Sequence, residues 1–147
     1  GAGCFWGVEE SFRKLPGVKK TEVGYSGGIT VDPSYESVCM GDTYHAEVVL
    51  IEYDKTEISY ENLISHFWKC HDPTTLNRQG PDIGTQYRSA IFYFDQIQKK
   101  IAEESRNVQA KKNNLNIVTQ IIEAKEYYKA EEYHQKYIQK TGVNCAL

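Results

Sequence analysis

A cysteine beside two aromatic residues is the first feature of this sequence that could do chemistry. Cys4 stands between Gly3 and the pair Phe5 and Trp6. The apolar residues that follow recur at helical spacing, so Cys4 lies just ahead of, or in, the first turn of a helix. Because a helix N-terminus lowers the pKa of a thiol, one interpretation is a nucleophilic thiolate with an apolar wall. The other is a small buried cysteine, and spacing alone favours it, since free cysteine is often buried.

The other cysteines and the histidines leave two alternatives open. Cysteines at positions 39, 70 and 145 are too widely spaced for a C-x-x-C redox pair or a zinc ribbon. Histidines stand at positions 45, 66, 71 and 134, and one of them could be the base of a Cys–His hydrolase, which would need no dithiol. Zinc held by Cys70 and His71 with His66 or Cys39 lacks a standard ligand spacing, so we expect no metal.

The composition is that of one ordinary globular domain. The chain has 147 residues, of which 40% are hydrophobic and 25% charged. This length allows one hydrophobic core without stabilising disulfides or metals. Seventeen Lys and Arg against twenty Asp and Glu leave a net charge of −3, which argues against nucleic-acid binding. No apolar run approaches the roughly 18 residues of a membrane span, so we expect no membrane partner. Eleven tyrosines suggest hydroxyls that meet polar partners in or near a site.

Predicted helices and strands alternate along the chain. Helices are predicted from Cys4 to Pro16, after Ser59 and after Asp95, where Ile97, Ile101 and Val108 form one apolar face; residues 125–140 are predicted to be helical or partly so. Strands are predicted over residues 18–25, 45–53, 87–94 and 117–122. Two long loops, residues 26–44 and 72–86, interrupt this order, and loops of such length are usually functional or disordered.

This order predicts an α/β (α+β) fold, a two-layer plait of the ferredoxin-like kind with a mixed sheet and helices packed on it. We expect a single catalytic domain over residues 1–147, with a strand before Gly1 trimmed and residues 141–147 forming a mobile tail. No repeat or linker divides the chain.

A series of motifs then resembles one known family, the A-type peptide methionine sulfoxide reductases. The likeness begins with GCFWGVE at residues 3–9 and covers nearly the whole chain in order. The further motifs are GYSGG at 24–28, PSYESVC at 33–39, GDT at 41–43, HAE at 45–47, FW at 67–68, HDPTTLNRQG at 71–80, Asp82 with GTQYRSAI at 84–91, and AE at 130–131 with YHQKY at 133–137. This match favours the functional interpretation of Cys4 over the buried one.

The resemblance implies a role for each matching residue. Cys4 is the implied nucleophile, and Phe5 and Trp6 the wall that holds the methyl group of the sulfoxide. Glu47 matches the acid that protonates the sulfoxide oxygen. The implied hydrogen-bond donors to that oxygen are Tyr35 and Tyr87, and Asp82 matches a further acid of the site, reached through water.

Elementary chemistry agrees with these roles. Thiolate attack on a sulfoxide sulfur pushes charge onto oxygen, so a proton donor is required. A carboxylic acid donates near neutral pH only if burial raises its pKa, and Glu47 lies within the apolar strand 45–53. Phenol O–H groups such as those of Tyr35 and Tyr87 can stabilise the developing charge. Taken alone, each of these residues has a plain structural alternative: a solvated acid, a packed tyrosine or a turn aspartate.

The resemblance also implies how the enzyme is recycled. After methionine leaves, a sulfenic acid on Cys4 condenses with a second thiol. Cys145, near the end of the chain, is the expected resolving thiol, and thioredoxin the expected dithiol reductant. The expected substrate is methionine-S-sulfoxide, free or in peptides and proteins, with no bound cofactor, in a cytoplasmic monomer. Non-catalytic binding of oxidised methionine is the remaining alternative.

The chain departs from the family pattern at Tyr44. Gly usually stands there, between GDT and HAE, so a bulky residue enters the loop before the strand. The tail is also short and lacks the Gly-rich, two-cysteine extension of many members.

Overall fold

The computed structural model describes residues 1–143 of the chain. The helices are α1 (Phe5–Arg13), α2 (Tyr35–Cys39), α3 (Tyr60–Lys69), α4 (Gln96–Asn113) and α5 (Tyr137–Thr141). The strands are β1 (Val18–Ser26), β2 (Ala46–Tyr53), β3 (Arg78–Gln79), β4 (Asp82–Ile83), β5 (Ala90–Tyr93), β6 (Gln120–Glu123) and β7 (Tyr127–Lys129). This succession confirms the predicted mixed α/β class.

Strand β1 is the centre of an antiparallel sheet with the order β2-β1-β7. Its C-terminal half is buried, as expected for a strand covered on both faces, and Val23 and Tyr25 have no exposed surface. Tyr25 pairs with Glu47 of β2 on one side and with Tyr128 of β7 on the other. This register places Glu47 at the beginning of β2, beside the centre of the molecule.

Strands β5 and β6 form a parallel pair joined by α4, which is the βαβ unit that the sequence predicts. Gly1 lies antiparallel to β5: its amino group donates to Ala90 O at 2.8 Å, and Ala90 N–H donates back at 2.9 Å. A Cβ built on Gly1 would lie 3.2 Å from the carbonyl oxygen of Glu47. The first residues therefore bring Cys4 between β5 and the beginning of β2.

Two apolar clusters support the helices. The larger includes Val8 and Phe12 of α1, packed with Leu63, Ile64 and Phe67 of α3. The smaller lies under the first turn of α1 and consists of the buried residues Phe5, Val23, Tyr25, Val38 and Ala130. Because both clusters contain residues of α1, they fix the helix and with it Cys4, which directly precedes it.

Residues 125–140, predicted to be helical or partly so, are helical only in part. This segment contains β7, a 3₁₀ turn at Glu132–His134 and most of α5. Tyr127 and Tyr128 pair with the end of β1 instead of continuing a helix. Backbone pairing with a buried strand outweighs the local helical preference of the Lys, Glu and Ala residues in this segment.

The apolar face predicted on α4 is wrong for two of its three residues. Ile97 and Val108 are 72% and 59% exposed, whereas Ala102 is completely buried. Helix α4 packs on α3, where Trp68 Nε1–H donates to Ser105 Oγ at 2.8 Å. The small side chain of Ala102 allows α4 to pack closely, so burial of Ile97 and Val108 is not needed.

Short ordered elements occupy the two predicted loops. Residues 26–44 contain α2, which begins with a capping box between Ser34 and Ser37. Residues 72–86 contain the β3-β4 hairpin and most of a 3₁₀ turn at Thr85–Tyr87. Tyr87 therefore belongs to a turn before β5 and not to a strand. No helix of residues 1–143 has the length and apolar content needed to cross a membrane.

A buried carboxylate fixes α1 against two other segments. Glu9 is 1% exposed and accepts a hydrogen bond from Thr21 Oγ1 at 2.8 Å and one from the N–H of Lys136 at 2.7 Å. Each of its oxygens thus has a donor, as a buried acid requires. The bonds tie α1 to β1 and to the chain between the last 3₁₀ turn and α5.

Replacing Glu9 with Gln is expected to lower the free energy of unfolding by about 3 kcal/mol, because an amide N–H then faces one of the two buried donors. Urea unfolding measures this. Glu10→Gln is the matched control: Glu10 pairs with Arg13 and Lys14 near the surface, so its loss should cost about 1 kcal/mol or less. Equal losses in the two variants would contradict the anchoring role of Glu9.

Candidate active site

Cys4 occupies the N-cap position of α1, which is where the sequence places it. It is half-buried, and Gly3 before it has a φ of +100°, a conformation that favours glycine. A Cβ on Gly3 would also lie 2.7 Å from the side chain of Gln79. Because the amide groups of a helix N-terminus favour negative charge, this position suits a thiolate.

Glu47 lies beside the first turn of α1. Its side chain is 1% exposed, and its Oε1 accepts a hydrogen bond from the Phe5 N–H at 3.0 Å. Burial raises the pKa of Glu47 to about 8; the Phe5 N–H opposes that shift and the charge of Asp82 adds to it. Glu47 is therefore protonated at neutral pH, and its burial costs stability progressively as pH rises from its ordinary pKa of 4.5 toward 8.

Two phenols share this environment. Burial raises the pKa of Tyr35, and its hydrogen bond with Cys39 and the charge of Glu47 add to the shift. Burial likewise raises the pKa of Tyr87, and the charges of nearby groups add to the shift: Glu47, Cys39, Asp82 and Cys4. Both hydroxyls thus stay protonated near neutral pH and can donate hydrogen bonds.

Asp82 belongs to the β3-β4 hairpin, opposite Gln79, the residue that contacts Gly3. It is partly exposed, and its charge raises the pKa of both Glu47 and Tyr87. The hairpin thus brings one negative charge to the group that already contains the predicted nucleophile, acid and phenols.

The two aromatic residues after Cys4 differ in exposure. Phe5 is 1% exposed and lies 5.7 Å, centroid to centroid, from Tyr25. Trp6 is half-buried, stacks on Tyr137 at 3.9 Å, and donates its Nε1–H to Nδ1 of His134 at 2.8 Å. Phe5 therefore supports the site from inside, while the indole of Trp6 is the wall that a ligand could touch.

Sequence reasoning assigned no role in the site to His134 or Glu131. His134 is completely buried, and its ring contacts Phe5, Trp6 and Tyr35. Burial lowers its pKa, so the imidazole is neutral and accepts from Trp6. Glu131 accepts the Tyr25 hydroxyl and the Tyr35 N–H, each at 2.9 Å. In the sequence, the only indication of a role in the site is that Glu131 lies in the AE motif and His134 in the YHQKY motif.

The remaining cysteines have different positions. Cys39 is exposed at the end of α2, beside Tyr35. Cys70 is buried, its Sγ donates to Phe67 O, and burial raises its pKa to about 11, in agreement with a structural role. Cys145, the predicted resolving thiol, lies outside the described residues.

The geometry gives no support to the alternatives of a hydrolase or a zinc site. Each histidine ring bonds to a group other than Cys4: His45 to Gly28 and Thr30, His66 to Ser11, His71 to Phe67 and Ser89, and His134 to Trp6. Within residues 1–143, no three His, Cys, Asp or Glu side chains converge as metal ligands would.

Replacing Asp82 with Asn is expected to lower the pKa of Glu47 from about 8, because a charge that opposes ionisation is removed. Titration of the Glu47 carboxyl carbon by NMR measures this. Asp72→Asn is the control on the same loop, since Asp72 accepts hydrogen bonds from Thr74 and does not raise the pKa of Glu47. An unchanged Glu47 pKa in Asp82→Asn would contradict the coupling between the two acids.

Comparison with known proteins agrees with this geometry. A model of the family described as "Peptide methionine sulfoxide reductase" matches residues 1–146. The chain is 54% identical to peptide methionine sulfoxide reductase A1 of Arabidopsis thaliana over 97% of its own length and 70% of that protein. It is 57% identical to the chloroplastic form A4 of the same plant, again over 97% of its length but 55% of the relative. The chain thus spans from about half to about 70% of these relatives.

Solved structures show the same likeness. Reduced Mxr1 from Saccharomyces cerevisiae has a TM-score of 0.93 and 38% identity, covering 99% of this chain and 84% of that one. Mxr1 in complex with Trx2 has a TM-score of 0.65 and 25% identity, covering 92% of this chain and 79% of that one. Methionine sulfoxide reductase A of Corynebacterium diphtheriae has a TM-score of 0.85 and 39% identity, covering 100% of this chain and 80% of that one. The motifs, the fold and the relatives agree that this chain belongs to the peptide methionine sulfoxide reductase family, in its A-type branch.

Proposed function

We propose that this chain reduces methionine-S-sulfoxide, free or within peptides and proteins, to methionine, with Cys4 as the nucleophile. The observation that carries the proposal is the hydrogen bond between the Phe5 N–H and Glu47. It holds a buried, protonated carboxyl beside the residue that follows the thiol. Membership of the A-type branch supports the choice of the S epimer.

In the first step the Cys4 thiolate attacks the sulfoxide sulfur. The sulfur–oxygen bond weakens, charge develops on oxygen, and Glu47 supplies the proton. The hydroxyls of Tyr35 and Tyr87 donate hydrogen bonds to the same oxygen, in a site where burial strengthens such bonds. The exposed part of Trp6 packs against the methyl group of the substrate.

The products of this step are methionine and a sulfenic acid on Cys4, so the sulfoxide is reduced as the enzyme sulfur is oxidised. Condensation with a second thiol then forms a disulfide and releases water. Cys145 is the proposed resolving residue. The complex of Mxr1 with Trx2 supports a thioredoxin as the reductant of that disulfide.

We propose that the enzyme acts as a monomer in the cytoplasm. The exposed Cys39 thiol suits a reducing compartment. One relative is named chloroplastic, so an organelle is the alternative location.

A single-turnover assay on a methionine sulfoxide peptide tests the chemical step. In the parent protein the rate should fall as pH rises through about 8, because Glu47 loses the proton that it donates. Glu47→Gln should abolish this dependence and lower the rate roughly 10²-fold or more, since it removes the general acid.

Two variants complete this assay. Cys4→Ser should form no methionine at any pH, whereas Cys70→Ser should give one equivalent, because Cys70 is buried in the larger apolar cluster and its thiol bonds to Phe67 O and His71. Methionine formation by Cys4→Ser would end the nucleophile assignment. A Glu47→Gln rate that still fell near pH 8 would assign the proton to another group.

The recycling step is tested separately with Cys145→Ser. This variant should still reduce one equivalent of sulfoxide but lose nearly all turnover when thioredoxin is the reductant, because its sulfenic acid has no resolving partner. Steady-state assays with thioredoxin and its reductase measure this, with the parent protein as the reference. Normal cycling would move the resolving role to Cys39 or Cys70, or to direct reduction of the sulfenic acid.

A further inference from the structure

The chain contains a single methionine, Met40, and that side chain is 78% exposed. It stands at the C-cap of α2, directly after Cys39 and five residues after Tyr35. An exposed thioether is open to oxidation by peroxide, which converts an apolar group into a polar sulfoxide. The residue whose oxidised form this family reduces therefore occurs once among these 147 residues, on the surface.

Helix α2 holds Met40 in an outward position. Val38 is 1% exposed within the smaller apolar cluster, and the Tyr35 N–H is bonded to Glu131. Beyond the helix, Gly41 has a φ of +84°, and a Cβ built on it would meet no atom within 4 Å. Met40 thus stands on a fixed, projecting corner that a second molecule can approach.

This corner lies at the rim of the candidate site. Tyr35, which belongs to the site, is on the same short helix. Gly41 O accepts a hydrogen bond from Thr85 Oγ1 at 3.5 Å, in the turn that carries Tyr87. Because the Met40 side chain faces solvent on an anchored helix, the site of a second copy of the chain can approach it.

We propose that Met40 is an oxidation site whose sulfoxide is reduced in trans by a second copy of this enzyme. The inference rests on the proposed function. Hydrogen peroxide transfers one oxygen to the Met40 sulfur and leaves water. Cys4 of the second copy then attacks that sulfur, the oxygen leaves as the sulfenic hydroxyl of Cys4, and a dithiol regenerates the thiol with release of water. This repair keeps an apolar side chain at the rim of the site.

The test uses the labelled Cys4→Ser protein as substrate. Nitrogen-15-labelled Cys4→Ser is treated with hydrogen peroxide, desalted, and incubated with unlabelled parent enzyme and dithiothreitol. Trypsin releases the labelled peptide of residues 21–55, whose single methionine is Met40. Because peroxide forms both epimers and one is reduced, about half of the added oxygen should disappear, at a rate proportional to unlabelled enzyme.

Matched controls assign the signal. Labelled protein that carries Met40→Leu as well as Cys4→Ser should show no added oxygen on this peptide after dithiothreitol. Unlabelled Cys4→Ser in place of the parent enzyme should remove none. A synthetic peptide of residues 34–42 that contains methionine sulfoxide is included in the same reaction as a measure of enzyme activity.

The outcomes separate the two proposals. Reduction of the synthetic peptide with full retention of oxygen on folded Met40 overturns the inference and leaves the proposed function intact. No reduction of either substrate contradicts the proposed function itself. Loss of oxygen that does not depend on the concentration of unlabelled parent enzyme would also overturn reduction in trans.

Discussion

The hydrogen bond from the Phe5 N–H to Glu47 is the contact on which the rest of this site depends. It joins the first turn of α1 to β2 and places a carboxyl beside a thiol 43 positions earlier in the chain. Two opposing effects act on that carboxyl. Burial favours its neutral form, and the backbone N–H favours its charged form. Burial is the larger effect, and the resulting pKa of about 8 lets Glu47 hold a proton at neutral pH and still release it.

The two buried acids Glu9, in α1, and Glu47, in β2, have different roles because their hydrogen-bond partners differ. Glu9 has a hydrogen-bond donor on each oxygen and ties the helix to β1 and to the chain near Lys136. Glu47 is equally buried and accepts a hydrogen bond from the Phe5 N–H. The first arrangement suits an anchor. The second places beside the first turn of α1 a carboxyl whose pKa burial raises to about 8, so Glu47 can act as a proton donor.

The segment after β7 helps to position the site, although it is far from Cys4 in the sequence. His134 accepts from Trp6, and Glu131 bonds both Tyr25 and the beginning of α2. The wall residue and the helix of Tyr35 are thus positioned by neighbouring residues of one segment. Tyr137 then stacks on Trp6, so the path of the chain toward its C-terminal end is coupled to the wall of the site.

Features that depend on neighbouring residues are readable in the sequence. The spacing of Val8 and Phe12 places Cys4 at the beginning of a helix, and the motifs around Cys4, Glu47 and Tyr87 are those of the family. Other features depend on contacts between distant segments. Residues 125–140 were expected to be helical or partly so, and pairing of Tyr127 and Tyr128 with β1 replaces helix at the beginning of this segment. The Phe5–Glu47 bond joins residues 42 positions apart, and the Trp6–His134 bond joins residues 128 positions apart. The burial that raises the pKa of Glu47 comes from such distant segments, so no local sequence pattern encodes it.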